Sequence, residues 1–188
     1  ATSFFPAKPL GCYGDGGALT TNDPDRAACF RSIRAHGKGS EKYDIARIGL
    51  NSRLDTLQAA ILLAKISIFE DELSARKRVA TMYSDRLANI VTTPLIDNAA
   101  QSAWAQYAIQ LDDRDAVAEE LKENGIPTAI YYPKPMHLQS AYLNFGDGLG
   151  SLPVSETLSE RILCLPMHPY LNEETIDSIC SRIRTVVS

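Results

Sequence analysis

The distribution of apolar and polar positions divides the N-terminal third of the chain into short strands and helices. Residues 1 to 21 predict two short strands around a glycine-rich turn, which ends at the turn signal Asn22-Asp23-Pro24. A helix is predicted to follow, because Asp23 or Asn22 can cap it, Pro24 suits its first turn and apolar residues then recur at helical spacing. This helix is predicted to stop near Gly37 and to lead into a polar loop over residues 38 to 51.

A long helix is predicted from residue 52, with Ser52 and Asp55 spaced as a capping box. Its apolar residues fall on two sides of the helix: Leu54, Leu57, Ile61, Ala64 and Ile68 on one, Leu62, Ile66, Phe69 and Leu73 on the other. An apolar arc of this width predicts that the helix is buried between two layers, and a subunit interface is one candidate for such a layer. Beyond Glu72 the pattern becomes charged and continues to Leu87 as a connector, which places a domain boundary near residue 75.

The remaining segment, residues 76 to 188, alternates strand and helix signals and predicts a small α+β domain. Strands are predicted over residues 104–111, 128–132 and 162–165, and helices over residues 113–124, 153–161 and 173–187. Gly125 is suited to the left-handed residue that ends the first of these helices. The domain assignment is therefore 1–75 and 76–188.

Composition and charge exclude several classes of function. The 188 residues are 45% hydrophobic and 22% charged, with a net charge of −4, so no overall positive field favours nucleic acid or an anionic membrane. The four cysteines form no C-x-x-C pair and the three histidines lack metal-ligand spacing, which predicts a reduced, cytoplasmic and metal-free protein. No apolar run reaches transmembrane length and no signal peptide is evident. Because the sequence starts directly in an apolar strand, we expect a fragment with weak or no activity alone.

Lys8 is the strongest candidate for chemistry. It precedes Pro9 and a turn with four glycines in seven residues, so its backbone is restrained while other groups can approach closely. An amine bonds to a carbonyl cofactor only when it is partly deprotonated, a state that a crowded and partly apolar pocket favours. The sequence therefore favours a Schiff-base lysine, with an ordinary surface lysine beside a turn as the alternative.

Two segments, Ser3 to Leu19 and Gly49 to Asp55, resemble the C-terminal half of the nucleotide-sugar aminotransferases of the DegT/StrS type. The resemblance is closest to members that aminate a UDP-linked 3-keto-uronic acid for O-antigen synthesis. It implies an α/β fold: the C-terminal part of a fold-type I transferase dependent on pyridoxal 5'-phosphate (PLP), comprising the end of the large domain and the small α+β domain. It further implies that Lys8 holds PLP as an internal aldimine and shuttles a proton. Related sugar dehydratases carry histidine at this position, so lysine argues for amino transfer.

The resemblance also assigns roles around the cofactor. It implies that Ser3 binds the PLP phosphate, that Asn51 contacts the phosphate in the neighbouring subunit of a homodimer, and that Arg53 faces the sugar. The residues alone leave simpler readings open, a structural strand serine for Ser3 and a helix-entrance segment for Asn51 and Arg53. A helix entrance also favours an anion, because its backbone donors and dipole face outward.

Tyr131 and Tyr132 are candidates for substrate binding, since relatives often carry histidine and then tyrosine at these positions, near the substrate. Adjacent strand residues point to opposite faces, which predicts that only one of the two enters a given pocket. One core tyrosine and one surface tyrosine is the alternative. His137 and His168 are assigned no catalytic role.

The leading hypothesis is an aminotransferase fragment that uses PLP, a nucleotide-sugar substrate and an amino-acid donor, glutamate. A non-catalytic dimerisation or binding module is the alternative, and a sugar-nucleotide dehydratase is disfavoured by the lysine at position 8.

Overall fold

A computed structural model describes residues 1–187 and divides the chain into two compact units, Ala1–Glu70 and the segment from Asp71 onward. The elements are, in chain order, β1 (Thr2–Ser3), β2 (Gly17–Ala18), α1 (Pro24–Ile33), α2 (Thr56–Ile66), α3 (Phe69–Leu87), β3 (Tyr107–Gln110), α4 (Arg114–Glu123), α5 (Pro153–Arg161), β4 (Ile162–Leu165) and α6 (Glu173–Val187). The unit boundary lies near the start of α3. The mixture of helices and sheet agrees with the expected α/β class.

In the first unit, β1 and β2 form an antiparallel hairpin, with Thr2 opposite Ala18 and Ser3 opposite Gly17. Helix α1 begins as the sequence predicts, since the Asp23 side chain accepts hydrogen bonds from two backbone N–H groups of its first turn. The hairpin loop between β1 and β2 carries Lys8.

The predicted long helix is wrong in its start and in its continuity. Helix α2 begins at Thr56, with Asp55 as an N-cap that makes no side-chain cap hydrogen bond, so the expected capping box does not form. The backbone N–H of Ser52 instead donates to Arg34 O at 2.9 Å, because this segment pairs with the end of α1. A break at residues 67–68 separates α2 from α3.

The predicted burial of α2 is not realised within the first unit. Leu62 is its buried residue, whereas Leu57, Leu63 and Ile66 are 78%, 72% and 54% exposed. The wide apolar arc is therefore largely exposed in this chain, because the described residues do not cover it.

The second unit builds a core around an antiparallel strand pair. Strands β3 and β4 pair over four residues, from Tyr107 opposite Leu165 to Gln110 opposite Ile162. Side chains of α3, α4 and α6 pack with the buried strand residues; the largest fully buried ones are Tyr83, Tyr107, Leu87, Ile109, Leu121, Leu163, Ile176 and Ile183. Helix α4 ends as predicted, with Gly125 at a φ of 73°.

The strand predicted over residues 128–132 is wrong. Only Ala129 pairs with β4, through two backbone hydrogen bonds with Cys164 of 3.1 and 2.8 Å, and the chain then leaves the sheet. The strand predicted over residues 104–111 is shorter, because Trp104 adopts a φ of 46° that is incompatible with an extended strand. Within residues 1–187, no helix combines the length and the apolar character needed to cross a membrane.

Candidate active site

The Lys8 turn is closed by backbone hydrogen bonds at both ends. Lys8 N donates to Phe5 O at 2.8 Å, and Cys12 N donates to Phe4 O at 2.8 Å. A Cβ at Gly11 would lie 2.7 Å from Phe5 O, closer than real Cβ atoms come to a backbone oxygen. The turn therefore requires glycine at this position, as its sequence suggests.

The Lys8 side chain is exposed in this chain. The crowded and partly apolar pocket expected around it is not formed by the described residues of the first unit. The closing contacts of the hairpin are made by backbone groups and do not involve the Lys8 side chain. What the chain supplies is a restrained lysine backbone and an accessible amine.

Ser3 lies on the same hairpin as Lys8. Its Oγ accepts a hydrogen bond from Phe5 N at 3.2 Å, which leaves the hydroxyl hydrogen available to donate to an acceptor such as a phosphate oxygen. Both side chains are exposed. An amine and a hydroxyl donor on one hairpin fit the aldehyde and phosphate ends of PLP.

Asn51 and Arg53 are brought together by a direct hydrogen bond, from Arg53 Nη2 to Asn51 Oδ1 at 3.2 Å. Their loop is anchored to the end of α1 by a bond from Leu50 N to Ile33 O of 2.7 Å. Neither residue stands at a helix entrance, since α2 begins at Thr56, so the expected contribution of the helix dipole does not apply to them. Both side chains are exposed and polar, and a guanidinium beside an amide suits an anionic group.

A pair of glycines fixes the loop that precedes Asn51. Gly37 has a φ of 75°, and a Cβ on it would lie 1.7 Å from Arg47 O. A Cβ on Gly49 would lie 2.0 Å from Gly37 N. The two backbones are packed so closely that neither position accepts a side chain, which fixes the path of the backbone that leads to Asn51.

Tyr131 and Tyr132 line one cavity in the second unit, with a volume of about 330 Å³. Their ring centroids lie 5.5 Å apart, and the side chains are 46% and 71% exposed. The prediction that the two point to opposite faces is wrong, because the chain has left the sheet before Tyr131. Lys134 and His137 also line the cavity, so its walls combine aromatic faces with polar and charged groups.

The wall of this cavity is tied together by Glu156, which sequence reasoning missed. Its carboxylate accepts hydrogen bonds from His137 Nε2 at 2.9 Å, from Gly150 N at 2.9 Å and from Leu152 N at 3.2 Å. The hydrogen bond from His137 is the main cause that lowers the pKa of Glu156, and the backbone donors add to it. His137 is thus linked through Glu156 to the backbone that leads into α5. His168 Nδ1 accepts from Tyr170 N at 3.2 Å.

Sequence reasoning also missed two polar residues of α2 that contact the Lys8 loop, Gln58 and Lys65. Their signal is present in the sequence, because they interrupt a mostly apolar helix seven residues apart. In residues 1–187, no group of three or more His, Cys, Asp or Glu side chains is arranged to hold a metal ion.

Comparisons with known proteins agree over nearly the whole chain. A model of the DegT/DnrJ/EryC1/StrS aminotransferase family matches residues 1–184. The UDP-2-acetamido-2-deoxy-3-oxo-D-glucuronate aminotransferase of Pseudomonas aeruginosa is 46% identical over 183 residues, which are 97% of this chain and 50% of that protein.

Two solved structures show the same similarity in three dimensions. A DegT DnrJ EryC1 StrS aminotransferase from Brucella abortus superposes with a TM-score of 0.94 at 53% identity, covering 100% of this chain and 50% of its own. DesV of S. venezuelae, solved in complex with a ketimine intermediate, gives a TM-score of 0.91 at 34% identity, covering 97% of this chain and 50% of its own. The chain thus spans about half the length of the relatives it matches.

Proposed function

The chain belongs to the DegT/DnrJ/EryC1/StrS aminotransferase family, whose members depend on PLP, and from this premise we propose the activity of the whole protein. It transfers an amino group, donated by glutamate, to a nucleotide-linked keto-sugar. The observation that carries this proposal is Lys8, an accessible amine on a turn whose backbone is fixed at both ends.

Within this proposal, Lys8 has two tasks. It holds the cofactor through the aldehyde carbon, and its released amine then moves a proton in each half-reaction. The cofactor, when bound, supplies the electron sink that makes a carbon next to nitrogen acidic. The Ser3 hydroxyl donates to the phosphate, which keeps the reactive carbon within reach of Lys8.

The substrate class follows from the charged and aromatic groups. We assign Arg53 to the sugar, where its planar guanidinium suits a carboxylate, and Tyr131 and Tyr132 to the walls of the substrate site. A UDP-linked 3-keto-uronic acid is the substrate proposed, and the name of the Pseudomonas aeruginosa relative supports it. O-antigen synthesis in the cytoplasm is the corresponding cellular role.

The proposed assembly is a homodimer with shared sites, in which Asn51 reaches the phosphate bound by the partner. The exposed apolar side chains of α2 support a covered surface in the assembled protein, since Leu57 and Leu63 are both more than two-thirds exposed in this chain.

The test is peptide mapping of the full-length protein after incubation with PLP and reduction with borohydride. The pyridoxyl group should be found on Lys8, and Lys8→Ala should lose both this label and nearly all turnover. A pyridoxyl group on Lys38 or Lys42 instead would refute the assignment of Lys8.

A non-catalytic dimerisation module is the second candidate, favoured by the same exposed face of α2. Visible absorbance after PLP addition separates the two candidates. A true site keeps this absorbance through dialysis, whereas nonspecific adducts lose it.

A further inference from the structure

Two polar side chains of α2 face the loop that carries Lys8. Gln58 and Lys65 are seven residues apart, close to two full helical turns, so they lie on the same face of α2. Both are partly buried, in a helix whose remaining residues are mostly apolar. A polar pair at this spacing in an apolar helix calls for a specific partner.

The partner is the far side of the Lys8 loop. Gln58 Oε1 accepts a hydrogen bond from Tyr13 N at 2.8 Å, and Lys65 Nζ donates to Gly11 O at 2.6 Å. The Lys65 ammonium also lies 5.3 Å from the centroid of the Tyr13 ring, within cation–π range. The two side chains therefore bind backbone groups on both sides of Cys12.

The hairpin needs this support. Strands β1 and β2 contain two residues each, and so short a hairpin is marginally stable by itself in water. Gly11, which Lys65 holds, is three residues from Lys8. The contact from Lys65 is charge-assisted, and such bonds are about twice as strong as neutral ones.

We infer that Gln58 and Lys65 are positioning residues that hold the Lys8 turn against α2 in the orientation that cofactor attachment requires. This inference rests on the proposed function of Lys8. Neither residue is assigned a contact with the cofactor. They act through the backbone of residues 11 to 13, and loss of either one leaves the Lys8 amine present on a loosened turn.

The experiment uses the full-length protein in its cofactor-free form. Lys65→Met removes the donor and keeps the apolar stem, Lys65→Arg restores a donor, and Gln58→Leu removes the acceptor. Lys77→Met is the matched control, because Lys77 is an exposed lysine on α3. Two quantities are measured: the rate at which PLP becomes reducible onto Lys8 by borohydride, followed by peptide mapping, and amide hydrogen exchange of residues 8 to 13.

Lys65→Met and Gln58→Leu should each slow labelling of Lys8 by about 10-fold to 100-fold, the range that small misplacements of reacting groups produce. In both variants, the backbone amides of residues 8 to 13 should exchange faster than in the wild-type protein, while the midpoint of thermal unfolding changes little. In Lys65→Arg, Lys8 should be labelled at close to the wild-type rate. In Lys77→Met, it should be labelled at the wild-type rate. Gln58→Leu keeps the test valid if Lys65→Met does not fold.

Three results would overturn the inference. Wild-type labelling rates in both Lys65→Met and Gln58→Leu would show that the contacts are structural only. Equal slowing in Lys77→Met would show a nonspecific effect. Absence of Lys8 labelling in the wild-type protein would refute the proposed function itself and the positioning role with it, and this outcome is distinguished by the wild-type sample alone.

Discussion

Asn51 offers a direct test of a shared active site. Its loop is held by backbone hydrogen bonds to α1 and by the close packing of Gly37 and Gly49, none of which involves the Asn51 side chain. Asn51→Ala should therefore leave the loop intact and remove one amide from the proposed phosphate site. The Arg53 guanidinium loses its 3.2 Å hydrogen bond to Oδ1, but it is exposed and water can replace that acceptor.

The size of the effect follows from the chemistry of the lost contact. A hydrogen bond to a charged group contributes about 1.5–3 kcal/mol, which corresponds to about 10-fold to 150-fold weaker binding of the cofactor phosphate. The Asn51→Ala homodimer should be impaired by this factor at limiting PLP. The Lys8→Ala homodimer should be inactive.

Mixing full-length Lys8→Ala chains with full-length Asn51→Ala chains then separates the two arrangements. If Asn51 acts in the partner's site, each heterodimer concentrates both defects in one site and leaves the other intact. Random exchange of equal amounts should restore about a quarter of the wild-type sites, since about half of the dimers are heterodimers with one intact site each. Activity at limiting PLP is the assay, with subunit exchange verified by mass. No recovery despite verified exchange would show that Asn51 serves its own chain.

The remaining predictions concern the second unit and the thiols. Tyr83→Phe should destabilise the protein by about 1–3 kcal/mol in urea unfolding, because the buried Tyr83 hydroxyl donates to Pro166 O, whereas exposed Tyr142→Phe should change little. Burial raises the pKa of Cys180 to about 11, so a thiol reagent at about pH 8 should modify Cys180 only on unfolding, as mass mapping can show. The hydrogen bond from His137 lowers the folded-state pKa of Glu156, so its stabilisation should be complete above the ordinary pKa of the unfolded carboxyl and lost as the pH falls through the lowered folded-state pKa; Glu156→Gln should flatten this acid limb in thermal melts.

Local signals allowed much of the fold to be predicted. Start signals and helical spacing predict α1, α4, α5 and α6, because these signals depend on residues within each helix or next to it. The terminal helix shows this best, since its buried residues Ile176, Ile179 and Ile183 recur at helical spacing.

The errors share a different cause, which is competition from distant segments. Ser52 satisfies the capping pattern by sequence, but its backbone is already bonded to Arg34, so α2 starts later. Residues 128–132 have strand composition, yet only Ala129 finds a neighbouring strand to pair with. Such outcomes depend on which distant segment each residue pairs with in the folded chain, and periodicity along the sequence does not contain that information.

The sequence indicates which residues are candidates for the site, but not how they contact the rest of the fold. The turn around Lys8 is recognisable because glycine and proline constrain the backbone locally. Its two contacts with α2, by contrast, join residues that are separated by 45 and by 54 positions in the sequence. The polar residues of an apolar helix were the available signal. Helical patterns are recognised from their apolar positions, so such polar residues carry little weight in a prediction from periodicity.

The two units differ in how far they are stabilised by their own residues, and this difference bears on the proposed function. The buried apolar cluster lies in the second unit, whereas in the described part of the first unit the buried apolar side chains are Cys12 and Leu62. Lys8 thus lies in the unit with the thinner interior, and α2, which holds its turn, exposes the apolar residues Leu57 and Leu63 on other faces. Covering that surface would stabilise α2 and, through Gln58 and Lys65, the turn itself. In the proposed homodimer, assembly and attachment of the cofactor to Lys8 should be coupled, so PLP should bind more tightly as the protein concentration, and with it the covered fraction of α2, is raised.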